Sequence, residues 1–569
     1  MRASDRDKDA FKGGMRVYMG NKKSSTGFLV QGSILAMASI ISRIIGLIYR
    51  IPLIGIIGDV GMDYYATAFE IYNNLLIISS YSLPLAVSKL VSADMSRGRR
   101  KNVYRILKGA LAFATVTGGV AALILFFGAE AFTVAMKTPF SIFAVRVLIP
   151  TLLIVAILGV MRGFFQGLGS MMPSAISQVL EQIANAIVSV WAAYVLYKYG
   201  MKVGAILGNQ ENYAAAYGAA GGTLGTGVGA LVALLFSCFV MFAYMHVYKR
   251  QMRREGVAKV DSYKHIFHTL IITIIPVLLS TTIYNCNTLV DMAIFKNIAN
   301  SQGYSALEIS TWNGVYTGRY RTLINVPISI ASALAASSVP ALTGAFTKKN
   351  LDEVRYQIGS AIRFIMLISI PCAVGMGVLA DPILKLVHLS DESGLAAVML
   401  RYGAVSIVFF SLSTLSNGLL QGINRMKEPV KNAAIALILH IIVLVVLMYG
   451  FDLNIYAVIF ANAAFGLIMS LLNAISIRRY VHYRQEIVKT FLIPGLSAGI
   501  MGAVVWGVYN ALLYLLRINA IATIFSIVVG AVVYFALMLL LKGMGEEELR
   551  RLPKGYLLVR LAKKAHLLK

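Results

Sequence analysis

The sequence predicts an all-α integral membrane protein of fourteen transmembrane helices, laid out as two six-helix lobes related as parallel repeats plus two C-terminal helices. Three observations predict it. The 569 residues are 58% hydrophobic and only 14% charged, with a mean hydropathy of +0.74, whereas soluble domains carry roughly 25% charged residues. Apolar runs long enough to cross a bilayer, which takes roughly 20 residues, recur along the chain without the period-2 alternation of a membrane barrel strand. Basic residues gather in every second connection between these runs.

The runs fall near 27–50, 65–88, 104–127, 141–163, 173–197, 217–246, 266–294, 314–342, 357–380, 395–419, 430–450, 453–476, 490–513 and 519–541. Lys22 and Lys23 precede the first run, Arg97, Arg99, Arg100 and Lys101 follow the second, and Arg162 follows the fourth. Lys249, Arg250, Arg253, Arg254 and Lys259 follow the sixth, and the pattern continues through Lys348, Lys349, Arg425, Lys427, Arg478 and Arg484 to a basic tail with Arg550, Arg551, Lys554, Lys563 and Lys564. The alternate connections carry Asp59, Asp63, Glu130, Glu211, Glu308, Asp391, Glu392 and Asp452 instead. The positive-inside rule then puts both termini in the cytoplasm. The net charge of +27 is therefore a topology signal with some affinity for anionic membrane lipid, and nucleic acid is not needed to explain it. Cys238, Cys286 and Cys372 lie inside apolar runs and suggest neither a disulfide framework nor a metal site. The polar start, to about Thr26, has no cleavable signal pattern, so the first span is expected to act as an uncleaved signal anchor.

The chain repeats itself. Gly163-Phe164-Phe165-Gln166-Gly167, followed by Pro173, matches Gly418-Leu419-Leu420-Gln421-Gly422, followed by Pro429, and a weaker match relates Val103–Gly109 to Glu353–Gly359, with Arg105 against Arg355. Each match begins after an even number of spans, so the halves share one membrane orientation, a plan used by transporters that rock two lobes against each other. The expected units are a cytoplasmic tail (1–26), an N-lobe (27–246), a cytoplasmic linker (247–265), a C-lobe (266–476), a final helix pair (490–541) and a basic tail (542–569).

Charges inside the spans carry the functional signal. Arg43 and Arg50 stand seven residues apart in the first span, close to two helical turns, so both point the same way. An arginine near a bilayer centre costs about 2.5–3.5 kcal/mol on insertion scales and persists where it faces a wet cavity or a partner. Arg50, near a helix end, could instead snorkel to the interface. Glu70, Arg146, Asp291, Arg319 and Arg321 fall in the same outer half, and Glu70 and Asp291 can each neutralise an arginine, which leaves arginine in surplus. Such a cavity prefers an anion, because the guanidinium fork suits phosphate oxygens. Arg319 and Arg321 are about 200° apart on an ideal helix, so at most one points into the cavity unless that helix unwinds, with Arg319 favoured. Glu181 is expected as a supporting or gate residue, Arg363 as a snorkelling one, and His440 as hydrogen-bonded within the bundle; His265 and His268 lack a third metal ligand. The glycine-rich stretch Gly218–Gly229 has no preceding strand and opens a span, so close helix packing explains it better than a nucleotide loop. Prolines 84, 150, 276, 327 and 371 mark kinks.

The segment Ser42-Arg43-Ile44-Ile45-Gly46, followed by Gly61-Met62-Asp63-Tyr64-Tyr65-Ala66-Thr67-Ala68-Phe69 and set within this topology, resembles the multidrug/oligosaccharidyl-lipid/polysaccharide exporter superfamily. Within it, the chain is similar to the MurJ-type lipid II flippase group and the stage V sporulation protein B branch. The resemblance implies arginines of the first and eighth helices lining a central cavity for a pyrophosphate, and an acidic residue opening the second helix. Carried over, these are Arg43, Arg50, Arg319 and Asp63. The second arginine of helix one comes seven rather than six residues after the first, and Glu70 stands where the MurJ type carries a lysine.

The expected function is a flippase for an undecaprenyl-pyrophosphate-linked saccharide, lipid II or a related polysaccharide unit, in a bacterial plasma membrane. It would work by alternating access as a monomer, without a cofactor, beside cell-wall synthases. Its substrate site would comprise Arg43, Arg50, Asp63, Glu70, Asp291, Arg319 and Arg321. A cation-coupled drug exporter of the same fold predicts a net acidic cavity, and the arginine surplus disfavours it. A membrane glycosyltransferase needs catalytic carboxylates on large outer loops, and these loops are short.

Overall fold

The computed structural model describes residues 4–253, 260–391, 393–544, 556 and 560. Arg254, Lys259, Glu392 and the tail residues Arg550, Arg551, Lys554, Lys563 and Lys564 lie outside them. Among the described residues every regular element is helical. The first half contains α1 (Ser4–Leu76), α2 (Leu83–Ser96), α3 (Arg100–Ala135), α4 (Ile142–Gly167), α5 (Met172–Leu207) and α6 (Gln210–Arg253). The second begins with α7 (Tyr263–Ser301), α8 (Ala306–Gly314), α9 (Arg321–Thr347), α10 (Leu351–Val378) and α11 (Ala380–Leu386). It continues with α12 (Leu395–Gly403), α13 (Ser406–Gly422), α14 (Lys427–Tyr449) and α15 (Ile455–Val481), before α16 (Ile493–Leu516) and α17 (Asn519–Leu540).

Among the described residues ten helical spans are long and apolar enough to cross a membrane, and an eleventh is added if α12 and α13, bent by 52°, form one span. The fourteen expected runs do not map onto these one to one. Two of them lie on the first span, because α1 reverses at Gly58, whose φ of 67° is open to glycine but strained for other residues. Before the reversal Ser42 donates to the Gln178 carbonyl and Ile57 abuts Gly218; after it, the returning chain seats Val91 against Gly167. The polar stretch expected as a tail continues the helix of α1 from Ser4.

Small residues set the helix spacing. Methyl groups at Gly221, Gly225 and Gly229 of α6 would collide with Ala192, Ser189 and the Glu181 carbonyl of α5, and the Ser189 hydroxyl donates to the Gly222 carbonyl at 2.7 Å. The glycine-rich stretch is thus a helix contact, as small residues favour in membranes. The two matching glycine pairs do the same work in each half: Gly163 and Gly167 seat α4 on Pro84 and Val91, and Gly418 and Gly422 seat α13 on Ala335 and Leu342.

One apolar cluster joins α2, α3, α4, α6 and the start of α7, and a second joins α9, α10, α13, α16 and α17. A third mixes both halves, bringing Tyr65 and Leu148 together with Phe295, Tyr320, Leu400 and Ile459. The short turns at 97–99, 168–171, 348–350 and 423–426 lie at one end, here the basic end; the third cluster lies toward the opposite end. There α8 opens with a capping box in which the Ser305 hydroxyl accepts from the Glu308 N–H and the Glu308 carboxylate accepts from the Ser305 N–H. The Ser305 hydroxyl, which also donates to that carboxylate at 2.7 Å, and then the Ser305 N–H hold the Glu308 carboxyl below its ordinary range.

Candidate substrate site

Three carboxylates of the returning limb of α1 meet three cations of the second half. Asp59 takes Arg319 in a two-point grip, Nε at 2.7 Å and Nη2 at 3.0 Å, while Arg319 Nη1 donates to the Ser390 carbonyl. Asp63 takes Lys296 at 2.6 Å, and both side chains are fully buried. Lys296 also donates to Thr67 at 2.8 Å, and Asn313 Nδ2 donates to the same Asp63 oxygen. Glu70 faces Arg321 at 3.5 Å. The second Asp63 oxygen is buried without a hydrogen-bond partner among the described residues. Gly314 makes this approach possible, since its Cα lies so close to the Asp59 carbonyl that no side chain would fit.

A second polar group lies deeper in the second half. Asp291 is joined to His440 Nε2, accepts from Asn462 at 2.7 Å and from Asn287 at 3.5 Å, and is buried. His440 Nδ1 meets the Ala461 carbonyl at 2.8 Å, and Asn462 reaches Tyr316 at 3.3 Å. Cys286, one turn before, donates its thiol to Asn74 of α1. His440 is hydrogen-bonded within the bundle, as its lone position suggests.

The expected site residues thus divide. Asp63, Glu70, Arg319 and Arg321 lie together on one seam. Asp291 makes no ion pair with an arginine among the described residues; its oxygens are taken by His440 and two asparagines, and its charge lies within reach of Arg321. Glu70 holds Arg321 rather than Arg43 or Arg50. Of the two close arginines, Arg321 reaches Glu70 and Arg319 reaches Asp59, because residues Val315–Tyr320 form a π turn that widens the helix and breaks the 200° rule. Arg50 is half-buried, with its charge in reach of Glu70 and Tyr65. Arg43 and Arg146 are exposed. None of these three makes an ion pair among the described residues. Glu181 pairs with Arg162 at 2.7 Å, and Arg363 meets Glu486 instead of solvent alone.

Lys296 and the gripping role of Asp59 escaped sequence reasoning. A single lysine at the acid-bearing end of a span, where basic residues are scarce, was the available signal for the first.

A family model described as polysaccharide biosynthesis protein matches residues 29–346, the stretch that carries every member of the seam. The chain belongs to the polysaccharide biosynthesis protein family. A second model, MatE, matches residues 320–446 of this family member. Lipid II flippase MurJ of Bacillus subtilis (strain 168) is 29% identical over 536 residues, covering 89% of this chain and 94% of the relative. Stage V sporulation protein B of the same organism is 26% identical, covering 94% and 99%. Among solved structures, lipid II flippase MurJ in an inward closed conformation aligns with a TM-score of 0.61 at 16% identity, over 88% of this chain and 97% of that one. An inward-facing multidrug resistance MATE transporter aligns at 0.56 and 15%, over 80% and 98%. The chain has the fold of the membrane transporters it aligns with, and it is similar in sequence to MurJ and to stage V sporulation protein B.

Proposed function

We propose that this transporter is a flippase that carries an undecaprenyl-pyrophosphate-linked saccharide from the cytoplasmic to the outer leaflet by alternating access. The observation that carries this reading is the distribution of charge. Arg319, Arg321 and Lys296 are each paired with a carboxylate, while Arg43 and Arg50 make no ion pair among the described residues, although Glu70 lies within reach of the charge of Arg50. Two guanidinium groups two turns apart on one helix suit the two phosphates of a lipid-linked pyrophosphate, which binds them bidentately. On this reading the basic end is cytoplasmic, the two halves are parallel repeats, and the seam of ion pairs closes the outer end while the cavity admits substrate from inside. Relatives described as a lipid II flippase and a stage V sporulation protein support the substrate class. An exporter of organic cations would want unpaired acid beside its substrate; here Asp291 and Glu70 are both engaged.

The deciding experiment has two parts. The gene should restore growth to a strain depleted of its lipid II flippase. In that background Arg43→Ala should accumulate in the membrane normally and yet lose flipping and binding of lipid-linked pyrophosphate, with Arg43→Lys only partly active because the ammonium lacks the fork. Undiminished binding by Arg43→Ala would remove this arginine from the site.

A further inference from the structure

At the basic end, away from the seam, the start of α3 and the start of α7 enclose a cleft of about 430 Å³. Lys101, Arg105 and Lys108 line it on one side and Tyr263 on the other, with Tyr104 between. The lining brings no carboxylate and three cations; Lys101 already has a partner, which leaves Arg105 and Lys108. Among the described residues the nearby acids are occupied elsewhere: Asp94 is gripped by Arg99 and Asn102, and Asp261 accepts from Asn102 at 2.7 Å while its N–H donates to Asn102 Oδ1 at 2.9 Å. That clasp fixes the chain just before Tyr263, so the cleft has a rigid rim. The Arg105 guanidinium lies over the Tyr263 ring at 4.4 Å and the Lys108 ammonium over the Tyr104 ring at 4.8 Å. Ring faces steady a cation but leave its N–H groups unsatisfied, and the buried Arg105 Nε has no hydrogen-bond partner among the described residues.

The other half of the chain supplies an internal control. The matching arginine, Arg355, is fully used: its Nε donates to the Val481 carbonyl at 2.8 Å and its Nη1 meets Asp352 at 3.0 Å. The residues that stand where Lys101, Tyr104 and Lys108 stand in the first half are Leu351, Val354 and Ile358. One copy of this corner is thus apolar and satisfied. The other carries two lysines and a tyrosine around an arginine whose Nε lacks an acceptor among the described residues.

We propose that the cleft binds a phosphate group, that of an anionic phospholipid headgroup in the leaflet at the basic end. Its position fits: Lys108 is exposed about two turns inside α3, and the same flank of that helix continues through the exposed Ala112, Val116 and Val120 for the acyl chains to follow. Basic pockets between membrane helices favour such headgroups, and the arginine fork matches a phosphate.

The test uses the purified full chain titrated with phosphatidylglycerol or phosphatidylcholine, with bound lipid counted by native mass spectrometry. Wild type should retain phosphatidylglycerol over phosphatidylcholine. Arg105→Gln and Lys108→Gln should each weaken phosphatidylglycerol roughly fivefold, as expected for one basic residue near an anionic surface, and Arg355→Gln should not. The exposed Lys108 variant keeps the test sound if Arg105→Gln proves unstable. Inorganic phosphate that binds the wild type and displaces the lipid at equal concentration would overturn the lipid assignment in favour of a soluble phosphate. Equal phosphatidylglycerol affinity in wild type and both variants would remove the site.

Discussion

Lys296 is the residue whose environment is most demanding. Its ammonium is wholly buried and is satisfied by Asp63 and Thr67, while Asp63 relies on Lys296 and Asn313. Removing one partner of such a pair strands the other, at a cost of about 3–5 kcal/mol. Lys296→Met should therefore lower the thermal unfolding midpoint of the solubilised protein by many degrees. Adding Asp63→Asn should recover much of the loss, since a buried pair replaced by neutral groups is often tolerated. A single variant as stable as wild type would show that the pair adds nothing to the fold. Asp63 was legible in the sequence because it opens the second run within a recognisable segment. Lys296 was not, because a charge at the edge of an apolar run reads equally as loop or as core until its partner is known, and its partner lies 233 residues away.

At the scale of elements, the decisive piece is the α8–π–α9 rod. Its π turn brings Arg319 and Arg321 to two carboxylates of α1, and Gly314 lets the rod lie against the α1 backbone at Asp59. Gly314→Val should hold the two apart. In a background with Cys238, Cys286 and Cys372 replaced by serine, a cysteine at Thr317, buried in wild type, should become reactive to an impermeant thiol reagent, and flipping should fall while membrane abundance stays. No gain in reactivity would mean that the rod seats without Gly314. The helical runs that build this rod were readable from hydropathy. The π turn was not: it costs one extra residue per turn and leaves no mark on composition, and ideal-helix geometry excluded the very pairing it creates. The glycine contacts of α6 were readable, because residues without side chains at four-residue spacing leave a groove that only another helix can fill.

For the molecule as a whole, orientation decides what the seam does. Single cysteines at Leu307 and Lys348, both exposed, should label oppositely in intact cells, the first by an impermeant reagent from outside and the second only after lysis. The reverse pattern would turn the seam into an inner closure and invert the transport cycle proposed above. The alternation of basic and acidic connections made this expectation possible from sequence. The way the halves meet could not be read, since it rests on an apolar cluster and on single ion pairs between helices hundreds of residues apart.

The three pairs of the seam, Asp59 with Arg319, Asp63 with Lys296 and Glu70 with Arg321, are each electroneutral. When they part sideways they carry no net charge through the electric field of the membrane. One elementary charge moved fully through 100 mV exchanges about 2.3 kcal/mol, so a voltage can drive the cycle only through charges that travel uncompensated. Span arginines without an ion pair among the described residues include Arg43, Arg50 and Arg146, and a diphosphate bound at the first two would cancel or reverse their charge. Exchanging Asp59 and Arg319 for each other should therefore leave the voltage dependence of flipping in proteoliposomes unchanged, whereas Arg50→Gln should alter it. The closure would then be voltage-silent, and the load it admits would set the sign of the electrical work.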